Sequence, residues 1–282
     1  MTSLKVDSSR FGEALPTLPG QILRALDEIE KTSALDYNIL RLVQNDASIA
    51  LSVLKVANAP IYGYSAKVAS LQQAVGLLGP QAIKNIILTT PIYERFGTGS
   101  VESQVDLLKL WMHSTVTACL AGVIGRKQDD LEQDVCFTAG LIYDAGKIAL
   151  AVYYREQTQK ILALAERKKW SLVQASREVL EFSYPEIMVA MTEHWNLPSP
   201  LYCVFKNHCV LDKEHVEDKL TGVVCLAKCL AFQFGYPDGL EKVKPLVSAS
   251  LLKLLSLTEK DLQSWEPMLR EQAALALESY ED

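Results

Sequence analysis

Residues 136–153 read CFTAGLIYDAGKIALAVY, and the middle of this run decides what kind of protein the chain is. Apolar residues flank Tyr143-Asp144-Ala145-Gly146-Lys147 on both sides. A carboxylate among Leu141, Ile142, Ile148 and Leu150 is costly to bury unless a cation or several hydrogen bonds meet it. The core around Asp144 was therefore built for a metal ion or has replaced one.

Working outward, the chain reads as helix after helix. Upstream, residues 103–125 carry Leu108, Trp111, Thr115 and Cys119 at helical spacing. Asp130-Leu-Glu-Gln133 has the order of a capping box before the helix that runs into Tyr143. Downstream, Ser171-Leu-Val-Gln174 and Ser183-Tyr-Pro-Glu186 are two more boxes. Ser199-Pro200 opens a helix ending near Asn207-His208, and residues 217–234 form another, closed by Gly235 before the turn Tyr236-Pro237-Asp238-Gly239. Two amphipathic helices finish the chain.

The first hundred residues predict a lobe of five short helices. Leu15-Pro16-Thr17-Leu18-Pro19 is an extended lead-in, followed by the stripe Ile22, Leu26 and Ile29. Asp36 and Asp46 are N-cap candidates, Ser70-Leu-Gln-Gln73 is a capping box, and Gly79 is a C-terminal stop before Pro80. Gly97-Thr98-Gly99-Ser100 is the linker candidate. No alternating strand pattern bounded by hairpin turns stands out. The expected fold is all-α, with segments at 1–100, 101–235 and 236–282.

Composition narrows the function classes. Of 282 residues 49% are hydrophobic, enough for a large core, and the net charge of −6 offers no global basic field to nucleic acid or anionic lipid. The N-terminus lacks the apolar region of a secretory signal, and no membrane-spanning run occurs. The six cysteines form no CxxC pair and sit in apolar helical patterns, so reduced thiols and a cytoplasmic location are expected. Cys225 and Cys229 read as packing residues on one helix face.

The GxGxxG, Walker, HExxH and GxSxG signatures are absent. Of the four histidines, His215 lies in the charge run Lys213–Lys219, and His194 sits beside Trp195 at a helix end, where the dipole accounts for it. His113 and His208 read as core or boundary histidines. Spacing alone assembles no metal site.

In order along the chain, several short segments resemble the HDOD family, a non-catalytic offshoot of the HD-type metal-dependent phosphohydrolases. They are Leu15–Pro19, Asn45–Asn58 with Tyr62-Gly63, Ser70–Gly79, Trp111-Met-His-Ser114, Ala139–Gly146 and Glu193–Pro198, spanning roughly residues 11–232. The last fifty residues have no such match. The resemblance implies a multi-helix, HD-like helical core with an N-terminal lobe of short helices.

The resemblance also implies a degenerate pocket. Of the metal ligands of active HD phosphohydrolases, His113 and Asp144 are retained. The histidine of the His-Asp pair is Tyr143, a further histidine falls at Tyr184, and a His-His pair falls at His208-Cys209 with its first member kept. The late aspartate falls at Lys228. A neutral phenol, with a pKa of about 10, is a poor ligand near neutral pH. A lysine ammonium within ~5 Å of a divalent ion would cost on the order of 7 kcal/mol at an effective dielectric of about 20. The Lys228 ammonium could instead balance Asp144 where a metal once sat. The vestigial pocket is thus His113, Tyr143, Asp144, Tyr184, His208, Cys209 and Lys228, with no catalytic residue, metal or cofactor expected.

The expected function is that of a non-enzymatic regulatory module in bacterial signalling, partnered by signalling proteins and not by nucleic acid or membrane. Two alternatives stay open. One is a divergent phosphohydrolase with a reduced ligand set of His113, Asp144 and His208, in which Lys147, otherwise a solvated lysine just beyond a helix end, contacts phosphate. The other is a sensor in which Tyr143, Tyr184, Lys228 and His208 hold a small anion or nucleotide.

Overall fold

The computed structural model describes residues 105–194, 199–209 and 218–278, with 70–79 and isolated positions between 53 and 86. Ten helices carry most of these residues: α1 (Leu107–Gly125), α2 (Gln133–Ile142), α3 (Ala145–Tyr153), α4 (Arg155–Lys168), α5 (Leu172–Leu180), α6 (Tyr184–His194), α7 (Ser199–Asn207), α8 (Lys219–Gln233), α9 (Ala249–Leu254) and α10 (Glu259–Glu278). No strand occurs among the described residues, so the fold is all-α. Of the N-terminal lobe, residues 71–79 are helical and end in Gly79 at φ +73°. Of the other expected N-terminal helices, positions 53, 56, 57, 82, 83 and 86 are helical and buried; the rest, the 97–100 linker and His215 lie outside the described residues, as does the side chain of His194.

The centre of the body is α8. Every residue from Leu220 to Ala231 is buried, so this helix is covered on all sides. It packs on α1, which in turn packs on α2 and α10. Asp218 caps α8 by accepting from Thr221 N at 2.8 Å, and Asp106 caps α1 by accepting from Lys109 N at 3.1 Å. The Ser171 capping box closes as expected in both directions. The Ser183 backbone N–H and hydroxyl both donate to Glu186 Oε2, at 2.6 and 2.7 Å. The Asp130 expectation fails: α2 begins at Gln133 without a side-chain cap, and Asp130 instead meets Lys219 Nζ at 2.9 Å. A box at Asp130 needs the helix to start at Leu131; it starts two residues later, with Glu132 in the N-cap position, so Asp130 lies outside capping reach.

Two glycines let helices approach closely around the pocket. A Cβ on Gly140 would lie 2.9 Å from Ala118 Cα, and one on Gly146 would lie 2.5 Å from the Tyr184 carbonyl oxygen. Gly146 thus sets how near α3 comes to α6, and so where Asp144 and Lys147 sit relative to Tyr184. We predict that Gly146→Val lowers stability by about 3 kcal/mol, because backbone must move to admit it. A denaturant melt checks this, and a cost under about 1 kcal/mol would mean that α6 yields easily.

Candidate functional site

The pocket forms where α2 stops. Tyr143 still donates its N–H to Ala139 O at 3.1 Å, but Asp144 turns to φ −99°, ψ 7°, and Lys147 N closes the next turn on Asp144 O at 2.8 Å. This corner points Asp144 into the body, where it is 1% exposed. Three positions on, Lys147 lies on the same helix face, and its Nζ donates to Asp144 Oδ2 at 2.7 Å.

Lys147 is 0% exposed, against the expectation of a solvated lysine. The reason is a second carboxylate: Nζ also donates to Asp238 Oδ2, brought in by the turn after α8. Asp238 itself is held by its other oxygen, which accepts from Leu240 N and Glu241 N at 2.9 and 2.8 Å. The expected counterion, Lys228, lies farther away. Its Nζ sits 5.7 Å from the centroid of the Tyr143 ring, and it acts on Asp144 through space after Lys147 does. The amine expected at the acid is therefore present, but it comes from position 147 and is shared by two acids.

Both histidines are fully buried. His113 Nδ1 lies 2.6 Å from the Tyr236 carbonyl, so it carries the proton and donates; Nε2 then accepts from the Tyr143 hydroxyl at 2.6 Å. His208 Nδ1 donates to the carbonyls of Val204 and Phe205, at 3.1 and 3.0 Å. Its Nε2 faces Asp144 Oδ1 at 3.6 Å, and neither of these two atoms has a closer partner. The Tyr184 hydroxyl contacts Cys209 Sγ at 2.8 Å, and Lys147 Nζ lies 5.1 Å from the centroid of the Tyr184 ring. All seven expected pocket residues thus converge on one region, with Lys147 and Asp238 at its middle.

The charges follow from this geometry. Burial pushes the Asp144 carboxyl up, but Lys147, His208 and Lys228 together hold it well below its usual range. Asp238 is lowered in the same way, burial being outweighed chiefly by the Lys147 ammonium. Burial alone would lower Lys147, yet the two carboxylates raise it. Burial keeps His113 neutral and lowers its pKa. His208 is raised, because Cys209 and Asp144 outweigh its burial. Burial, then the neighbouring acid groups, push both phenols well above their usual range.

One atom each from His113, Asp144 and Asp238 lie within 4.8 Å of one another, the spacing of a candidate cation cluster. The residues around it do not fit a divalent ion. An ion about 3 Å from the Lys147 ammonium would meet roughly 11 kcal/mol of repulsion at an effective dielectric of about 20. The lone pair that His113 would offer is already taken by the Tyr143 hydroxyl.

Asp238 escaped the sequence reading because a Pro-Asp-Gly run reads as a solvated turn. The rest of the turn is largely exposed; Asp238 alone is turned inward, at 0% exposure, by contacts to α1 and α3 that no local pattern encodes. Two further ties hold this strap: the Tyr236 carbonyl on His113, and Glu241 Oε1 accepting from Leu172 N at 3.1 Å.

The body is all-α, with Tyr143 and Asp144 buried at the corner between α2 and α3. The HDOD domain profile matches residues 15–210, and the chain belongs to that family. An HDOD domain protein of unknown function from Geobacter sulfurreducens superposes with a TM-score of 0.72 at 22% identity, covering 94% of this chain and 93% of that one. A protein of Marinobacter aquaeolei, provisionally called a signal transduction protein, superposes at 0.68 with 19% identity, covering 93% and 58%. A provisionally assigned phosphohydrolase of Shewanella amazonensis superposes at 0.69 with 18% identity, covering 95% and 97%. The chain is also similar to an uncharacterized protein of Treponema pallidum, 21% identical over 197 residues, and this stretch spans 37% of that protein's length. At these identities the superpositions establish the fold.

Proposed function

We propose that the protein is a non-catalytic regulatory module of bacterial signal transduction, acting through protein or small-ligand binding, with a vestigial HD pocket. The observation that carries this reading is the Lys147 ammonium lying between Asp144 and Asp238. A cation that belongs to the chain does the electrostatic work a bound ion would do, and it brings no bound water to activate. The similarity to a protein provisionally called a signal transduction protein supports the same reading.

Turnover of cyclic dinucleotides, nucleotides and phosphate monoesters with added manganese tests it directly. No metal-dependent turnover is expected, and a chelator should leave the melting temperature unchanged. Clear turnover that Asp144→Ala abolishes would sink the proposal.

The alternative, a divergent metal-dependent phosphohydrolase, draws on the His113, Asp144 and Asp238 cluster. It requires Lys147 to leave both carboxylates, and stoichiometric iron, manganese or zinc in the purified protein would favour it. A small anionic or nucleotide ligand would instead use Lys228, which forms no ion pair within 4 Å among the described residues. Its signature would be a thermal shift that Lys228→Ala removes.

A further inference from the structure

A groove of about 210 Å³ opens between the end of α8, the segment before α9, and the start of α10. Its walls include Phe234, Val247, Leu252 and Leu262, and Glu259 and Glu266 stand at the same opening. Beside it runs Lys242-Val243-Lys244-Pro245-Leu246. Val243 is 44% and Leu246 74% exposed, the large hydrophobic side chains that stand out into solvent among the described residues. Val247 turns into the groove while its neighbour Leu246 turns out.

We infer that this face joins two copies of the chain, with Leu246 of each copy seated in the groove of the other. Charge complementarity selects a second copy as the occupant. The plug is flanked by Lys242 and Lys244, and the receiving groove is edged by Glu259 and Glu266. Glu266 is partly engaged by Arg270 at 2.7 Å, so Glu259 is the acid better placed to receive a lysine. Leu246 is the chain neighbour of Val247, which lines the groove, so plug and groove adjoin, and a two-fold contact beside Val247 would use both twice. Pro245 restricts the backbone just before Leu246, which lowers the entropy lost when the plug docks. All of these residues lie beyond the family match at 15–210, so the contact is a property of this chain's C-terminal segment. The interface is small and belongs to the weak, concentration-dependent class.

Sedimentation velocity of the full chain over a range of concentrations tests this. A monomer–dimer equilibrium is expected, and Leu246→Asp should weaken it at least tenfold, since the symmetry removes the plug twice. Glu259→Lys and Lys244→Glu should each weaken it, and the two together should restore it. An exposed position makes Leu246→Asp harmless to folding, which an unchanged thermal melt verifies. A monomer at every concentration overturns the inference, whatever other protein the groove then captures. So does a dimer that is indifferent to Leu246→Asp and to both charge reversals.

Discussion

Replacing Lys147 with alanine should create a site that takes up a divalent cation while destabilising the metal-free protein. Lys147 is the only ammonium within ion-pair distance of Asp144 or Asp238 among the described residues. Deleting it leaves two buried carboxylates facing each other, and breaking a buried pair in this way costs about 3–5 kcal/mol. The same deletion opens room beside His113, Asp144 and Asp238, whose donor atoms lie within 4.8 Å. An ion bound about 2.1 Å from each donor needs them roughly 3–4 Å apart, a closure of less than about 2 Å. Binding at a hundredfold excess over Kd would return about 2.7 kcal/mol. The variant should therefore melt well below the parent in chelator and recover much of the loss in manganese or zinc. The parent should show neither change. Lys147→Met removes the charge but keeps the bulk, so it should be destabilised without metal recovery. Adding Tyr143→Phe to Lys147→Ala should tighten the metal further, because it frees the His113 Nε2 lone pair. If Lys147→Ala shows no metal-dependent gain in melting temperature or bound metal, the ammonium is not standing in a cation's place.

The contrast between Lys147 and Lys228 shows where the sequence was legible. Helix positions followed from local chemistry: the Ser171 box, the Gly79 and Gly235 stops and the Ser199-Pro200 start all appear as read. The convergence of His113, Asp144 and His208 followed from the family's ordered motifs. That an internal cation meets Asp144 was also readable, because a carboxylate in an apolar run demands one. Which lysine supplies it was not. Position 147 follows a helix break and reads as solvated; only the arrival of Asp238 makes its burial favourable. That arrival is a tertiary event between residues 91 positions apart, and the turn's composition carries no trace of it.

Neutralising Asp238 should cost less than removing Lys147, and the difference tests how the charges are shared. Asp238→Asn leaves one carboxylate with one ammonium, a balanced pair; the Asn oxygen still accepts from Leu240 and Glu241, while its NH2 replaces the oxygen that accepted from Lys147. The loss is that of a charge-assisted hydrogen bond, about 1.5–3 kcal/mol. Its pH dependence has a fixed sign. Folding lowers the Asp144 and Asp238 pKa values, so their contribution is present above the unfolded carboxyl pKa of about 3.9 and is lost as pH falls through the folded values. His113, also lowered and held neutral, adds a loss that begins below about pH 6.5, where the unfolded chain takes up a proton that the folded one refuses. Lys147, raised on folding, contributes fully up to about pH 10.5 and only then fades. Stability measured by urea melts should therefore fall from pH 6.5 towards pH 3 in the parent, and Asp238→Asn should flatten the part of that fall below about pH 4. The strap gives an independent reading. With the Lys147 tie weakened, the segment keeps its contacts to His113 and Leu172, so the amides of Leu240 and Glu241 should exchange faster while those of α8 do not. An Asp238→Asn cost equal to that of Lys147→Ala would mean that the two carboxylates do not share one ammonium as the geometry indicates.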